Sequence, residues 1–119
     1  MLFAQNLGKK GEKLAAQYYR RQGYEIKEMN FRTRQGEIDV IAQKGNMLVF
    51  SEVKTRSENT IAAPREFVTY AKQQKIILAA KAYLASRCDT ESFVRFDVVE
   101  VVSNKGHFEL HCIENAFAL

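Results

Sequence analysis

Apolar residues recur at helical spacing near the start of the chain, where Leu7, Leu14, Ala15, Tyr18 and Tyr19 mark one face of a helix from about Gln5 to Gln22. Gly23 is placed to end it, because glycine takes the left-handed conformation of a helix C-terminus without a Cβ penalty. From Tyr24 to Phe31 the pattern changes to alternation, which predicts a first strand with Tyr24, Ile26, Glu28 and Asn30 on one side. Two β-branched, apolar runs, Glu37 to Ala42 and Leu48 to Lys54, then flank Gly45-Asn46, a two-residue hairpin signal. Pro64 suits the first turn of a helix reaching about Arg87, with Phe67, Val68, Ala71, Ile77, Leu78, Ala82 and Leu84 as its apolar side. Phe93 to Val102 and Phe108 to Ile113, joined by Asn104-Lys105-Gly106, read as a second hairpin. No repeat, low-complexity segment or linker interrupts the series. The pattern predicts one α/β domain over residues 1–119, a five-stranded mixed β-sheet flanked by α-helices. Short connections make the first three strands an antiparallel meander. The long helix is the crossover that sets strand four parallel to a strand of that meander.

The first hairpin carries the candidate chemistry. A two-residue loop pairs Gln43 with Leu48, Ile41 with Phe50, Asp39 with Glu52 and Glu37 with Lys54. Directly opposed residues have Cβ atoms about 4.5–5.5 Å apart, and like charges there are destabilising. Two carboxylates beside Ile41 and Phe50 make sense if Mg²⁺ or Mn²⁺ sits between them, since such ions are held by one or two carboxylates plus substrate phosphates. Lys54, two residues beyond Glu52, falls on the same face. The alternative is a solvated hairpin face with Lys54 paired to Glu37 or Glu52, and a loop of three or five residues would put the carboxylates out of step.

Other residues could surround this centre. Glu12 lies near the edge of the first helix's apolar face and can reach toward the hairpin; it is equally a surface Glu paired with a nearby Lys. Arg32 and Arg34, in the basic loop before the hairpin, and Arg56 after it could hold phosphates, because most protein–DNA hydrogen bonds go to the backbone; solubilising loop charge is the other reading. Ser57-Glu58-Asn59-Thr60 is the candidate mobile segment beside the site. Lys72, Lys75 and Lys81 lie off the apolar side of the long helix, where they track nucleic acid or simply face solvent. Gln73, one turn before Ile77, can point at the active face and position a water or phosphate. Asp97 is a further carboxylate, read as structural.

Gly11-Glu12-x-x-Ala15, Asn30-Phe31-Arg32, GEIDVIA, VFSEVKTR, Lys72-Gln73, Arg95-Phe96-Asp97-Val98-Val99 and Asn115-Ala116-Phe117 together resemble the YraN-like family across essentially the whole chain. GEID followed by EVKxR is the most specific part. That family is predicted to be nuclease-like, within the PD-(D/E)xK, restriction-endonuclease-like group that includes archaeal Holliday junction resolvases. The resemblance implies Asp39 and Glu52 as metal ligands, Lys54 as the catalytic lysine and Glu12 as an extra acidic residue. Tyr70-Ala71 replaces the family's usual Pro-Arg, and Ser51 stands where an apolar residue is more usual. The expected activity is metal-dependent hydrolysis of phosphodiester bonds, DNA more than RNA, with Asp39, Glu52 and the Val53 carbonyl holding Mg²⁺ or Mn²⁺. The alternatives are a non-catalytic nucleic-acid-binding domain on the same fold and a small interaction domain of a larger complex. Resolvase relatives pair up, so a homodimer is a further expectation, although no interface signature is legible.

Composition narrows the class. Hydrophobic residues at 46% and a single Pro fit a packed globule. A net charge of +4 and a pI near 9.1 suit a polyanionic partner. Cys88 and Cys112 are too few and too scattered for a disulfide framework or zinc ribbon. His107 and His111, in an apparent strand, are about 13 Å apart at roughly 3.3 Å per residue and cannot chelate one zinc. Met1 to Asn6 lacks the long apolar core of a signal peptide, and no run approaches the roughly 20 apolar residues of a membrane span. A cytoplasmic protein without membrane association is expected.

Overall fold

The computed structural model describes residues 2–57 and 68–118, with side chains from residue 7 onward. Its elements are α1 (Leu2–Arg21), β1 (Glu25–Arg32), β2 (Glu37–Lys44), β3 (Met47–Ser57), α2 (Tyr70–Ser86), β4 (Phe93–Asn104) and β5 (His107–Phe117). The strands form one sheet in the order β1-β2-β3-β4-β5. β1, β2 and β3 are the antiparallel meander, β4 runs parallel to β3, and β5 returns antiparallel. This is the predicted α/β architecture, and α2 is the crossover that makes the β3–β4 pair parallel.

The two helices cover opposite faces. Ala15 and Tyr19 of α1 pack with Val40, Ala42, Val49, Val53, Val99 and Val101. Ile76, Ile77, Ala79, Ala80 and Tyr83 of α2 pack with Ile38, Ile41, Leu48, Phe50, Phe96 and Val98. Strands buried on both faces read as nearly continuous apolar runs, as Met47 to Phe50 of β3 and Val98-Val99 and Val101-Val102 of β4 do. Among the described residues no helix is long and apolar enough to cross a membrane.

Three local expectations are corrected. α2 begins at Tyr70, not near Pro64, which lies outside the described residues together with Phe67 and Glu58-Asn59-Thr60. Thr69 is the N-cap: its backbone is extended and its side chain accepts from the Lys72 N–H at 3.2 Å, satisfying one of the helix's free donors. The apolar side is also rotated from the expected one. Ala71 and Leu78 are exposed, whereas Ile76, Ala79, Ala80 and Tyr83 are buried. Finally, β1 does not alternate cleanly, because a bulge falls between Ile26 and Glu28. Tyr24 and Ile26 pack on the α1 side, whereas Glu28, just past the bulge, opposes Ile41 of the α2-side cluster, as an extra unpaired residue shifts the facing of the residues after it.

A polar cluster sits beneath α1. Asp97 is fully buried and accepts from Arg95 Nε and a second guanidinium nitrogen, both at 2.9 Å. It also accepts from the Tyr19 hydroxyl at 2.7 Å and the Asn115 N–H at 3.0 Å. Ser51, opposite Asp97 in the β3–β4 register, is hydrogen-bonded to the same hydroxyl at 3.0 Å. Burial, then the Asp97 charge, pushes the Tyr19 phenol far up. Asp97 is thus a structural carboxylate that ties β4 to α1 and β5, and Ser51 is its polar neighbour.

Candidate active site

The Gly45-Asn46 turn sets the expected register near the loop, with Gln43 opposite Leu48 and Ile41 opposite Phe50. The expected Asp39–Glu52 and Glu37–Lys54 pairs, however, are not part of the ladder, and Glu37 opposes Arg32 of β1. Backbone pairing between β2 and β3 then stops at Val40–Ser51. One step further the strands are joined through a side chain, with the Val53 N–H donating to Asp39 Oδ2 at 2.7 Å. β3 continues along β4 as far as Ser57. The two strands therefore part at Asp39 and Glu52.

The parting is occupied by a cavity of about 140 Å³ lined by Gly36, Glu37, Asp39, Glu52, Lys72, Lys75 and Ile76. Gly36 allows it to form as it does, because a Cβ there would run into the backbone carbonyl of Lys75. β2 can thus enter directly beneath the start of α2. On the other side, a Cβ on Gly11 would collide with Thr55, so glycine lets α1 close on β3. Glu12, the next residue, is half-buried and its charge acts on Asp39.

The electrostatics of the cavity are unusual for a hairpin. Glu52 is only 6% exposed. Asp39 is pushed up from its ordinary 3.8 to about 8, by burial first, then by the Glu52 charge, a hydrogen bond shared with Glu52, and the Glu12 charge, against the opposing Val53 N–H. Lys54 Nζ lies 3.7 Å from Glu52 Oε1, and Lys72 Nζ lies 3.1 Å from the same oxygen. Burial and the neighbouring Lys72 lower the Lys54 ammonium, opposed by Glu52 and Asp39. Burial also acts to lower Lys72, but its contacts with Lys54 and Glu52 outweigh it and the net shift is upward. Glu37 is paired with Arg32 at 3.5 Å, so of the two partners considered for Lys54 the structure selects Glu52.

Asp39, Glu52, Lys54 and Lys72 are therefore brought together, with Glu12 in electrostatic reach. Arg32 and Arg34 line an adjoining depression with Thr33, Gln35 and Lys75, which shares Gly36, Glu37 and Lys75 with the central cavity. Arg56 is directed elsewhere: its Nε binds Glu100 Oε2, and the two side chains are 19% and 4% exposed. Gln73 donates to the Val68 carbonyl at 3.1 Å and lines a separate hollow with Val98, Ala116 and Phe117. Lys75, which the sequence offers with Lys72 and Lys81 as tracking nucleic acid or facing solvent, lines both cavities. Its spacing of three from Lys72 is the available signal, as i and i+3 share a helix face.

Among the described residues, no three His, Cys, Asp or Glu side chains gather as a metal-holding group. The donors that line the cavity together where the strands part are the two carboxylates of Asp39 and Glu52, all oxygen. Such a set fits Mg²⁺ or Mn²⁺, which complete their shell with water and substrate phosphate and need no all-protein cage. Burial first, and the Glu52 and Glu12 charges after it, hold Asp39 toward its protonated form, the proton that a bound cation would displace.

Residues 11–101 match the profile described as Uncharacterised protein family UPF0102. The chain is 45% identical over 113 residues to a UPF0102 protein of Desulforapulum autotrophicum, covering 95% of this chain and 93% of the relative. It is 44% identical over 114 residues to one from Caldanaerobacter subterraneus, covering 93% of each. A third, from Christiangramia forsetii, is 41% identical over 112 residues, covering 93% of this chain and 92% of the relative. The chain belongs to the uncharacterised protein family UPF0102, the YraN-like family that its GEID and EVKxR runs resemble.

Proposed function

We propose that the protein is a metal-dependent nuclease that hydrolyses phosphodiester bonds, with DNA the favoured substrate and a restriction-endonuclease-like site. The observation that carries this reading is the Asp39–Glu52 pair at a strand parting, with two lysines on Glu52 and a cavity open to ligand. Asp39, Glu52 and the Val53 carbonyl would hold Mg²⁺ or Mn²⁺. The bound ion supplies Lewis acidity toward the scissile phosphate and makes the attacking water more acidic. Lys54 orients that water and neutralises charge building on the phosphate in the transition state, where preorganised charge is most effective. Arg32, Arg34 and Lys75, beside the cavity, bind flanking phosphates and fix the strand's register without reading bases. Glu12 acts on the carboxylate pair from outside, through its field on Asp39.

The test is a panel of labelled linear, flapped and four-way DNA and matching RNA, incubated with Mn²⁺ and with chelator. Cleavage of any member that needs the ion and is lost in Lys54→Ala supports the nuclease. Tight binding of the same panel without cleavage, and with no need for an ion, favours a non-catalytic nucleic-acid-binding domain.

A further inference from the structure

Lys72 is in an unfavourable place for a lysine. It lies in the first turn of α2, three residues after the Thr69 N-cap, where the helix dipole disfavours cations. No acidic residue in that turn offsets it. Its ammonium instead crosses to β3 and meets Glu52 Oε1 at 3.1 Å, nearer than Lys54 at 3.7 Å. The Lys72 side chain remains 39% exposed, while the Glu52 side chain is 7% exposed. Lys72 is thus reachable from solvent, whereas its carboxylate partner is reached through the cavity they both line.

We propose that Lys72 is an exchangeable counterion: it occupies Glu52 when no divalent cation is present and turns to a substrate phosphate when the cation takes that oxygen. This rests on the nuclease reading and adds a coupling to it. A residue that cannot serve both partners at once makes ion and nucleic acid each promote the binding of the other. Such coupling is reciprocal and is commonly about 5–150-fold. The departure from helix-terminus preference then has a functional reason, as local rules are broken where a site requires it. Lys75 gives the internal comparison. It lines the same cavity but is not among the ion pairs of Glu52 formed by the described residues.

The experiment is Mn²⁺ titration calorimetry on wild type, Lys72→Met and Lys75→Met, followed by binding of a short labelled DNA duplex with and without inert Ca²⁺. Lys72→Met should bind Mn²⁺ about tenfold more tightly than wild type, and Lys75→Met less than about threefold more tightly. Ca²⁺ should raise DNA affinity in wild type and Lys75→Met by a clearly larger factor than in Lys72→Met. Equal Mn²⁺ gains in both variants, or the same Ca²⁺ enhancement in all three proteins, would overturn the exchange and leave the nuclease reading standing. Absence of Mn²⁺ binding in all three proteins would remove the metal site and the exchange together.

Discussion

Replacing Asp39 by asparagine asks what the buried carboxylate pair costs the metal-free fold. Asp39 is pushed from 3.8 to about 8, chiefly by burial and by Glu52. A tenfold change in proton affinity is ~1.4 kcal/mol, so the ceiling is on the order of 6 kcal/mol. The cavity admits water, and two ammonium groups lie on Glu52, so screening brings the working figure to about 2–3 kcal/mol. The native state keeps its proton up to about pH 8, whereas the unfolded chain releases it near pH 4. Between these limits the native state binds more protons, and stability must fall as pH rises. The contribution is fully present below the unfolded value and is lost as pH climbs through about 8. The amide of the Asp39→Asn variant cannot ionise, so the variant lacks this slope. Urea unfolding of both proteins in chelator from pH 4.5 to 8.5 should show wild type losing about 2–3 kcal/mol relative to the variant. Parallel stability curves would refute the reasoning, because Asp39 would then titrate alike in the folded and unfolded chains.

Lys54→Ala should lower kcat by about 100-fold or more while Mn²⁺ affinity changes little, which single-turnover kinetics and calorimetry would separate. Wild-type Mn²⁺ affinity should rise with pH up to about 8, as the ion displaces the proton held by Asp39; a pH-independent affinity would contradict this. Arg32→Ala with Arg34→Ala should reduce the salt slope of DNA binding by about two units in Ca²⁺, and Lys9/Lys10/Lys13→Ala should reduce it less. Arg56→Ala should instead destabilise the fold by about 3 kcal/mol in urea titration, because Glu100 is left buried without this guanidinium.

The central hairpin was legible because two short-range signals agreed. Gly45-Asn46 dictated the loop length, and Ile41 and Phe50 dictated the facing, so Asp39 and Glu52 had to meet. The crossover was legible from the length of the connection after β3. Less was readable where tertiary contact decided. Pro64 drew the start of α2 forward, although Thr69, with its side chain free to accept from Lys72, is the operative cap. The facing of α2 depends on how the crossover lays it over Phe50 and Phe96, which its own periodicity does not encode. Lys72 shared that difficulty: it was legible as a lysine that tracks nucleic acid or faces solvent, and its contact with Glu52 depends on β3 being set beneath α2. Arg56 read as a phosphate-binding or solubilising residue beside the site because its partner Glu100 lies 44 residues away on a strand joined only by the crossover. Ser51 and Asp97 were visible as polar residues inside apolar strands. Their connection through Tyr19 was hidden, because that residue read as part of an apolar stripe.

The central claim is that Asp39 and Glu52 together hold a divalent cation, and Mn²⁺ titration of wild type, Asp39→Asn and Glu52→Gln at pH 8 tests it most directly. Wild type should bind the ion, and each substitution should weaken binding by about 100-fold or abolish it, since either change leaves a single carboxylate to hold the cation. Equal affinity in all three proteins would contradict the assignment of the site.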